Sequence, residues 1–467
     1  MGCCSVLCGL KAGIGIGIAL AILGIILFPV GNNIIQETVE KESVLEPGTT
    51  AWDNFVSVGP PVYRQFWLFD VQNPLDVVEN GSKPIVVEKG PYTYRTRYLA
   101  KADITPNTET HTVSFRLPLG AIFEPSMSVG SEGDNVTSLN LAVAAGYKLL
   151  PPGLLEAAIL LKGVSLFQRR TVGELLWGYK DPILKSTLGF FYPYNGTFDG
   201  PYSIFTGKHN ISKVSIIDTW KGKKKVSFWN NTYCNMINGS DATSFPPFID
   251  MKKSLYFFVS DIARSVSAVY EDSLDLKGIE VYRFKLPPLT LASPLENPDN
   301  MCYCTDPVVT RNCTMAGVLD ISSFRGGKVP VYISLPHFLH GSPNLVDAIQ
   351  GLRPNDEQHF TFLDVEPTTG FTLRAAKRLQ VNMMYGPSDV ITVLKKVKDY
   401  TIFPLVWLNE TASLDDETAE MFKTELFSRI EMLKTVQFTL LGLGSACFVL
   451  CLVAHCVLSR RKSNESV

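Results

Sequence analysis

The sequence predicts an α+β protein in which a large domain of antiparallel strands, interrupted by a block of helices, is carried between two transmembrane helices. Three observations predict it. Two long apolar runs, residues 12–30 and 435–458, lie near the ends of the chain. Between them stand short β-branched and aromatic stretches separated by Asn, Gly and Pro turns. Residues 138–185 break that pattern with helical spacing.

The first run, AGIGIGIALAILGIILFPV, carries no charge and follows Lys11. As a helix it covers roughly 28 Å, close to the ~30 Å of a bilayer core. A cleaved signal would be shorter and end in a small-x-small site, whereas this run ends Phe28-Pro29-Val30. It therefore reads as a retained anchor. The second run stops at Arg460-Arg461-Lys462, and basic residues at a helix exit mark the cytoplasmic side. Two spans put both tails on that side. The expected organisation is a cytoplasmic tail 1–11, a span 12–30, an extracellular domain 31–434, a span 435–458 and a cytoplasmic tail 459–467.

The 467 residues carry a formal charge of −2, so a nucleic-acid partner is not expected. An 11% aromatic content and 29 prolines suit strands and loops better than a helical bundle. Sequons begin at Asn80, Asn135, Asn195, Asn210, Asn230, Asn238, Asn312 and Asn409, all inside 31–434, which predicts a glycosylated surface. Asn464 begins another beyond the second span.

Cysteines divide by compartment. Cys234, Cys302, Cys304 and Cys313 lie between the spans and suggest two disulfides. Cys302 and Cys304 are too close to bond comfortably, which leaves two pairings open. Cys3, Cys4 and Cys8 precede the first span and Cys456 adjoins the basic stop, so these four are S-acylation candidates. Val6 stands where myristoylation needs Ser or Thr.

Within the first span, Gly13, Gly17 and Ala21 have the spacing that lets helices approach closely. Packing on the second span, self-association into a homo-oligomer, and the ordinary abundance of glycine in spans all fit. Residues 34–45 read as a short helix leaving the membrane. Strand-like runs then include FWLFDV, PIVVE, YTYRTRYL and HTVSFRL. Residues 139–150, 153–162 and 171–179 read as helices hinged at Pro151-Pro152. LLEAAILL within the second of these fits a buried helix and an exposed apolar tip equally well. Lys221–Lys225 reads as a basic turn between the strands VSIIDTW and VSFW. Residues 257–270 are compatible with helix, and strands resume from 278 to about 408. Ser413-Leu-Asp-Asp opens a final helix, 417–434, that runs into the second span.

No nucleophile elbow, HExxH or Walker loop occurs, so no enzyme, cofactor or metal is expected. His337 and His340 share the segment LPHFLH, and a structural role is the expectation for both.

Longer segments carry a resemblance. Val62-Tyr-Arg-Gln-Phe-Trp-Leu-Phe-Asp-Val-Gln-Asn-Pro74, Gly90-Pro-Tyr-Thr-Tyr-Arg95, Gly120-Ala-Ile-Phe-Glu-Pro125, Glu174-Leu-Leu-Trp-Gly-Tyr179, Ser244-Phe-Pro-Pro-Phe248, Glu296-Asn-Pro-Asp-Asn300, Val331-Tyr-Ile-Ser-Leu-Pro-His-Phe338 and Lys377-Arg-Leu-Gln-Val-Asn382 resemble the class B scavenger receptor family. The resemblance implies an antiparallel β-barrel-like core, an internal lipid tunnel, and an apex of helices at about 138–185. It implies a plasma-membrane receptor, with raft or Golgi pools, that binds long-chain fatty acids, lipoproteins or oxidised lipids and facilitates fatty-acid uptake. The alternative is an adhesion or pattern-recognition receptor for thrombospondin-type proteins. Membrane lipids are partners in either case.

At the apex, Lys162, Arg169, Arg170, Leu154, Leu155 and Ile159 are the candidate ligand contacts. Lys162 alone stands where relatives show a lysine cluster. The resemblance also implies the pairs Cys234–Cys302 and Cys304–Cys313. A further cysteine pair expected in close relatives would fall at Ala263 and near Phe324, and its loss would cost roughly 2–4 kcal/mol unless packing compensates. The tail RRKSNESV lacks an acidic-dileucine lysosomal signal and has Leu458 where a second acylated cysteine is expected.

Overall fold

The computed structural model describes residues 2–324, 326, 329–424 and 428–464. The chain divides into two compact units: the terminal segments 1–42 and 415–467, and the intervening residues 43–414.

In the first unit the apolar runs form the helices Gly2–Ser43 and Ser428–Asn464. The helix expected at 34–45 is the end of the first helix and not an element of its own. The first helix runs without a break through Pro29 to Ser43. A short helix, Asp416–Phe422, opens the second terminal segment, and its N-cap Asp415 accepts from the Thr418 amide at 2.7 Å. Residues 425–427, inside the expected helix 417–434, lie outside the described residues.

The glycines of the first helix meet the second. A methyl group at Gly13 would strike Cys451 Sγ, one at Gly17 the backbone of Phe448, one at Gly24 Leu441, and one at Gly31 Gln437. Rising numbers on one helix meet falling numbers on the other, so the pair is antiparallel. The small-residue spacing thus serves packing between the two spans, where absent side chains let backbones approach. Phe28 meets Phe438 edge-on at 5.3 Å, and Gln437 donates to the Leu27 carbonyl at 2.6 Å.

The second unit is built on one large antiparallel sheet. Its main path runs Leu255–Val259, Arg264–Leu276, Ile279–Lys285, Phe362–Val365, Thr372–Tyr385, Thr401–Ser413, Val62–Val71, Val86–Arg97 and Ile122–Phe123. A second sheet joins Ile217–Trp220, Thr197–Phe205, Thr112–Leu119 and Ala102–Asn107. The strand Thr401–Ser413 is buried almost continuously, as expected of a central strand covered on both faces. In its register with Val62–Val71, Trp407 stands opposite Trp67, and the two indoles stack at 3.9 Å.

Residues 257–270 are strand, 3-10 turn and strand rather than helix. The reason is alternation: Arg264, Val266 and Ala268 turn inward while Ser265 and Ser267 lie between them. VSFW, expected as a strand, is irregular and bent instead. Trp229 is buried there and donates its indole N–H to the Ala263 carbonyl at 3.2 Å. Lys221–Lys225 is a turn, with Lys223 bridged back to Trp220 and Lys224 paired with Asp218 at 3.3 Å.

The disulfides join Cys234 to Cys302 and Cys304 to Cys313. Where the resemblance placed a further cysteine pair, Ala263 is fully buried and Phe324 meets Phe228 edge-on at 5.0 Å. Both belong to one apolar cluster with Trp220, Trp229 and Tyr303. Packing occupies the place of the missing bridge.

Candidate ligand-binding site

The segment expected as the apex is a strand pair enclosing helices. Asn135–Leu139 pairs antiparallel with Phe167–Thr171, and the helices Leu141–Leu149 and Pro152–Lys162 fill the loop between them. Local signals set every boundary. Asn140 caps the first helix by accepting from the Ala142 amide at 3.1 Å. Pro152 starts the second at a position where its missing N–H costs nothing. Gly163 ends it in the left-handed conformation, φ 60°. Thr171 and Glu174 form a capping box for the helix Val172–Trp177.

Helix Pro152–Lys162 has two apolar faces with different fates. Leu155 and Ile159 are buried, Leu155 against Gly146 of the preceding helix. These two candidates therefore hold the helix down and do not meet solvent. Leu154, Leu160 and Leu161 point outward, and Leu161 is 81% exposed. Glu156 anchors the helix to the sheet unit by accepting from the Thr392 amide at 2.8 Å and from its hydroxyl.

The three cations also separate. Arg170 is committed: it lies over the Tyr179 ring at 4.1 Å and pairs with Glu174 at 3.5 Å. Lys162 and Arg169 are exposed, and neither side chain has an ion pair among the described residues. Arg169, Gly163, Val164, Phe167 and Pro182 line a cavity of about 290 Å³ beside the helix. An apolar ridge next to an unpaired guanidinium and ammonium can desolvate a hydrocarbon chain and meet an anionic group together.

The histidines expected to be structural are so placed. His337 donates Nε2–H to Glu88 at 2.5 Å, while its Nδ1 accepts the Arg353 amide at 3.1 Å. His359 stacks on it at 4.7 Å and accepts the Asn355 amide at Nδ1. Burial, then the neighbouring His337, pushes the His359 imidazole down to about 4. His340 pairs with Asp356 at 2.8 Å. No group of residues suited to a metal ion occurs among the described residues.

Seven of the eight sequon asparagines between the spans are exposed. Asn409 departs from the expectation. It is buried in the central strand, its amide donating to Gln65 at 3.2 Å and accepting from Arg378 at 3.3 Å. Cys8 and Cys456 are exposed, whereas the side chains of Cys3 and Cys4 lie outside the described residues.

Sequence comparison agrees with this architecture. The profile of the CD36 family matches residues 15–455. Scavenger receptor class B member 1 of Cricetulus griseus is 32% identical over 452 residues, covering 92% of this chain and 86% of its own length. Lysosome membrane protein 2 of Rattus norvegicus is 35% identical over 433 residues, covering 88% and 87%. Its Homo sapiens counterpart is 35% identical over 425 residues, covering 88% and 87%. With a profile match across nearly the whole chain and two long apolar terminal helices, this is a two-span membrane protein that belongs to the CD36 family.

Proposed function

We propose that the protein is a plasma-membrane receptor that binds long-chain fatty acids and lipoprotein-type ligands at the 138–185 helices and facilitates fatty-acid uptake through an apolar passage in its ectodomain. The observation that carries this reading is the exposed ridge of Leu154, Leu160 and Leu161 beside the unpaired cations Lys162 and Arg169. The ridge takes the acyl chain out of water and a cation meets the carboxylate. No bond is made or broken, so the role is that of a receptor, not an enzyme. Residues 31–434 face outside, both tails are cytoplasmic, glycans occupy exposed sequons, and acyl chains occupy cysteines at the inner ends of the spans.

Oleate uptake by cells expressing the L160S/L161S and R169A variants tests this. Each is expected to reduce uptake at equal surface abundance. Unchanged uptake in both removes the reading. Unchanged uptake together with lost binding of a thrombospondin-type protein would favour the adhesion alternative.

A further inference from the structure

A cleft of about 390 Å³ opens in the second unit, within the range of about 300–1,000 Å³ that small ligands fill. Its floor is rigid. The buried guanidinium of Arg264 donates to the Thr290 carbonyl at 3.0 Å and to Asn300 at 2.6 Å, and it lies over the Tyr303 ring at 4.5 Å. Cys234 also lines the cleft, so the Cys234–Cys302 bridge pins the same floor. Higher up stand two half-exposed rings, Tyr233 and Tyr256, with small polar groups from Asn297 and Ser267.

Asn238 lines this cleft and begins the sequon Asn238-Gly-Ser240. Its side chain is exposed and makes no hydrogen bond among the described residues. Its backbone, by contrast, is fixed. The Asn238 amide donates to Ser265 Oγ at 2.8 Å, and that hydroxyl donates to the Met236 carbonyl at 3.1 Å. Gly239 follows with φ 87°, and a Cβ there would fall 1.8 Å from the Tyr256 carbonyl oxygen. The Ser240 amide donates to that same carbonyl at 3.2 Å. The sequon and Tyr256 are therefore locked side by side, and a saccharide on Asn238 leaves the chain next to the Tyr256 ring.

The lining selects among ligand classes. An acyl chain would leave the asparagines and serines unmatched. An anion would find Arg264 already engaged, with Asp299 and Glu296 lining the same cleft to repel it. A neutral sugar suits both kinds of wall: its C–H face packs on an aromatic ring, and its hydroxyl and acetamide groups meet Asn, Ser and carboxylate partners. A sugar already attached at Asn238 needs little affinity, because a short tether gives an effective concentration in the mM range.

We propose that this cleft seats the first two N-acetylglucosamine units of a glycan on Asn238, stacked on Tyr256 and Tyr233. The inner part of this glycan is a packed part of the fold and not a solvated surface chain. The inference rests on the extracellular placement of residues 31–434 and is independent of the fatty-acid reading.

The test is release of glycans from the folded full chain, made in mammalian cells, by peptide-N-glycosidase F, followed site by site with glycopeptide mass spectrometry. The enzyme must reach the first sugar. Asn230, an exposed sequon asparagine outside the cleft, is the internal reference. Release at Asn238 is expected to be about tenfold slower than at Asn230, the factor that stacking on two rings supplies, and equal to it after denaturation. Tyr256→Ala and Tyr233→Ala should each speed release at Asn238 and leave Asn230 unchanged. Tyr256→Phe, which keeps the ring, should leave Asn238 slow. Equal rates at the two sites of the folded wild type overturn the proposal, as does slow release at Asn238 that neither alanine variant alters. A variant that speeds both sites alike reports a loosened fold and counts against stacking. Glycans at other sequons with none at Asn238 remove the seat and leave the extracellular reading in place. A chain with no glycan at any sequon removes both.

Discussion

The helix Pro152–Lys162 and the Arg64–Glu410 cluster hold the same kinds of residue under opposite conditions. On the helix, Lys162 is surrounded by water and stands alone beside leucines. In the cluster, made by Arg64, Arg97, Asp261, Lys377 and Glu410, each guanidinium, ammonium and carboxylate is tied to at least one opposite charge. Water makes a lone surface charge cheap, whereas an enclosed charge persists only in a set. The comparison teaches that the outer cations are free to meet ligands without structural consequence. The inner ones are structural as a group.

The largest effect that tests this contrast is Arg64→Met. It removes the cation that faces Glu410 across the paired strands, leaving Lys377 and Arg97 as partners, and is expected to destabilise the second unit by about 3 kcal/mol, the low end of the cost of breaking a buried pair, read by chemical denaturation. Lys162→Ala should leave the same curve in place. An equal response from both would erase the distinction. Next comes Leu155→Ala, which opens a cavity against Gly146 and should cost about 2–5 kcal/mol. Leu161→Ala, one helix face away, should cost less than about 0.5 kcal/mol.

A third effect comes from pH. The folded state holds His359 near 4, below the ordinary histidine value near 6.5, so the unfolded chain takes up the proton first. The full contribution is present above about pH 6.5 and is lost as pH falls toward 4. Its size is roughly 2–3 kcal/mol. Glu88, which burial would raise but His337 and Trp407 hold below the usual carboxylate range, adds loss in the same direction at lower pH. Stability measured from pH 7.5 to 4.5 should therefore decline, and a His359→Asn chain should decline less. A flat wild-type profile would contradict the buried neutral imidazole. The smallest expected effect is at Asn409: Asn409→Gln should leave the glycosylated mass unchanged, while Asn238→Gln removes one glycan.

Much of this was legible in the chain. Apolar runs at both ends, turn dipeptides between strand-like stretches, and Pro152 and Gly163 at the ends of one helix each act through local chemistry that neighbours in sequence supply. Residues 257–270 were less so, because Phe257, Val266 and Ala268 satisfy either period until the sheet selects one. In the candidate site, Lys162 and Arg169 could be named from the chain. That Leu155 turns inward while Leu161 faces water could not, since both are leucines of one helix.

By itself the sequence determined two spans, a strand-rich domain between them, four ectodomain cysteines in an oxidising setting, and a helical block between residues 138 and 185. These follow from hydropathy, turn chemistry and capping, which act over a few residues. Only the tertiary structure decided that the glycines of one span face the other, that Asn409 is buried in the central strand, and that Phe324 and Ala263 pack where a bridge is missing. It also brought Arg64, Arg97, Asp261, Lys377 and Glu410 together. Those outcomes depend on residues far apart in sequence, as in the contact between Gly13 and Cys447 across 434 positions, and sheet register, together with the 3-10 turn that carries Asp261, sets which charge meets which.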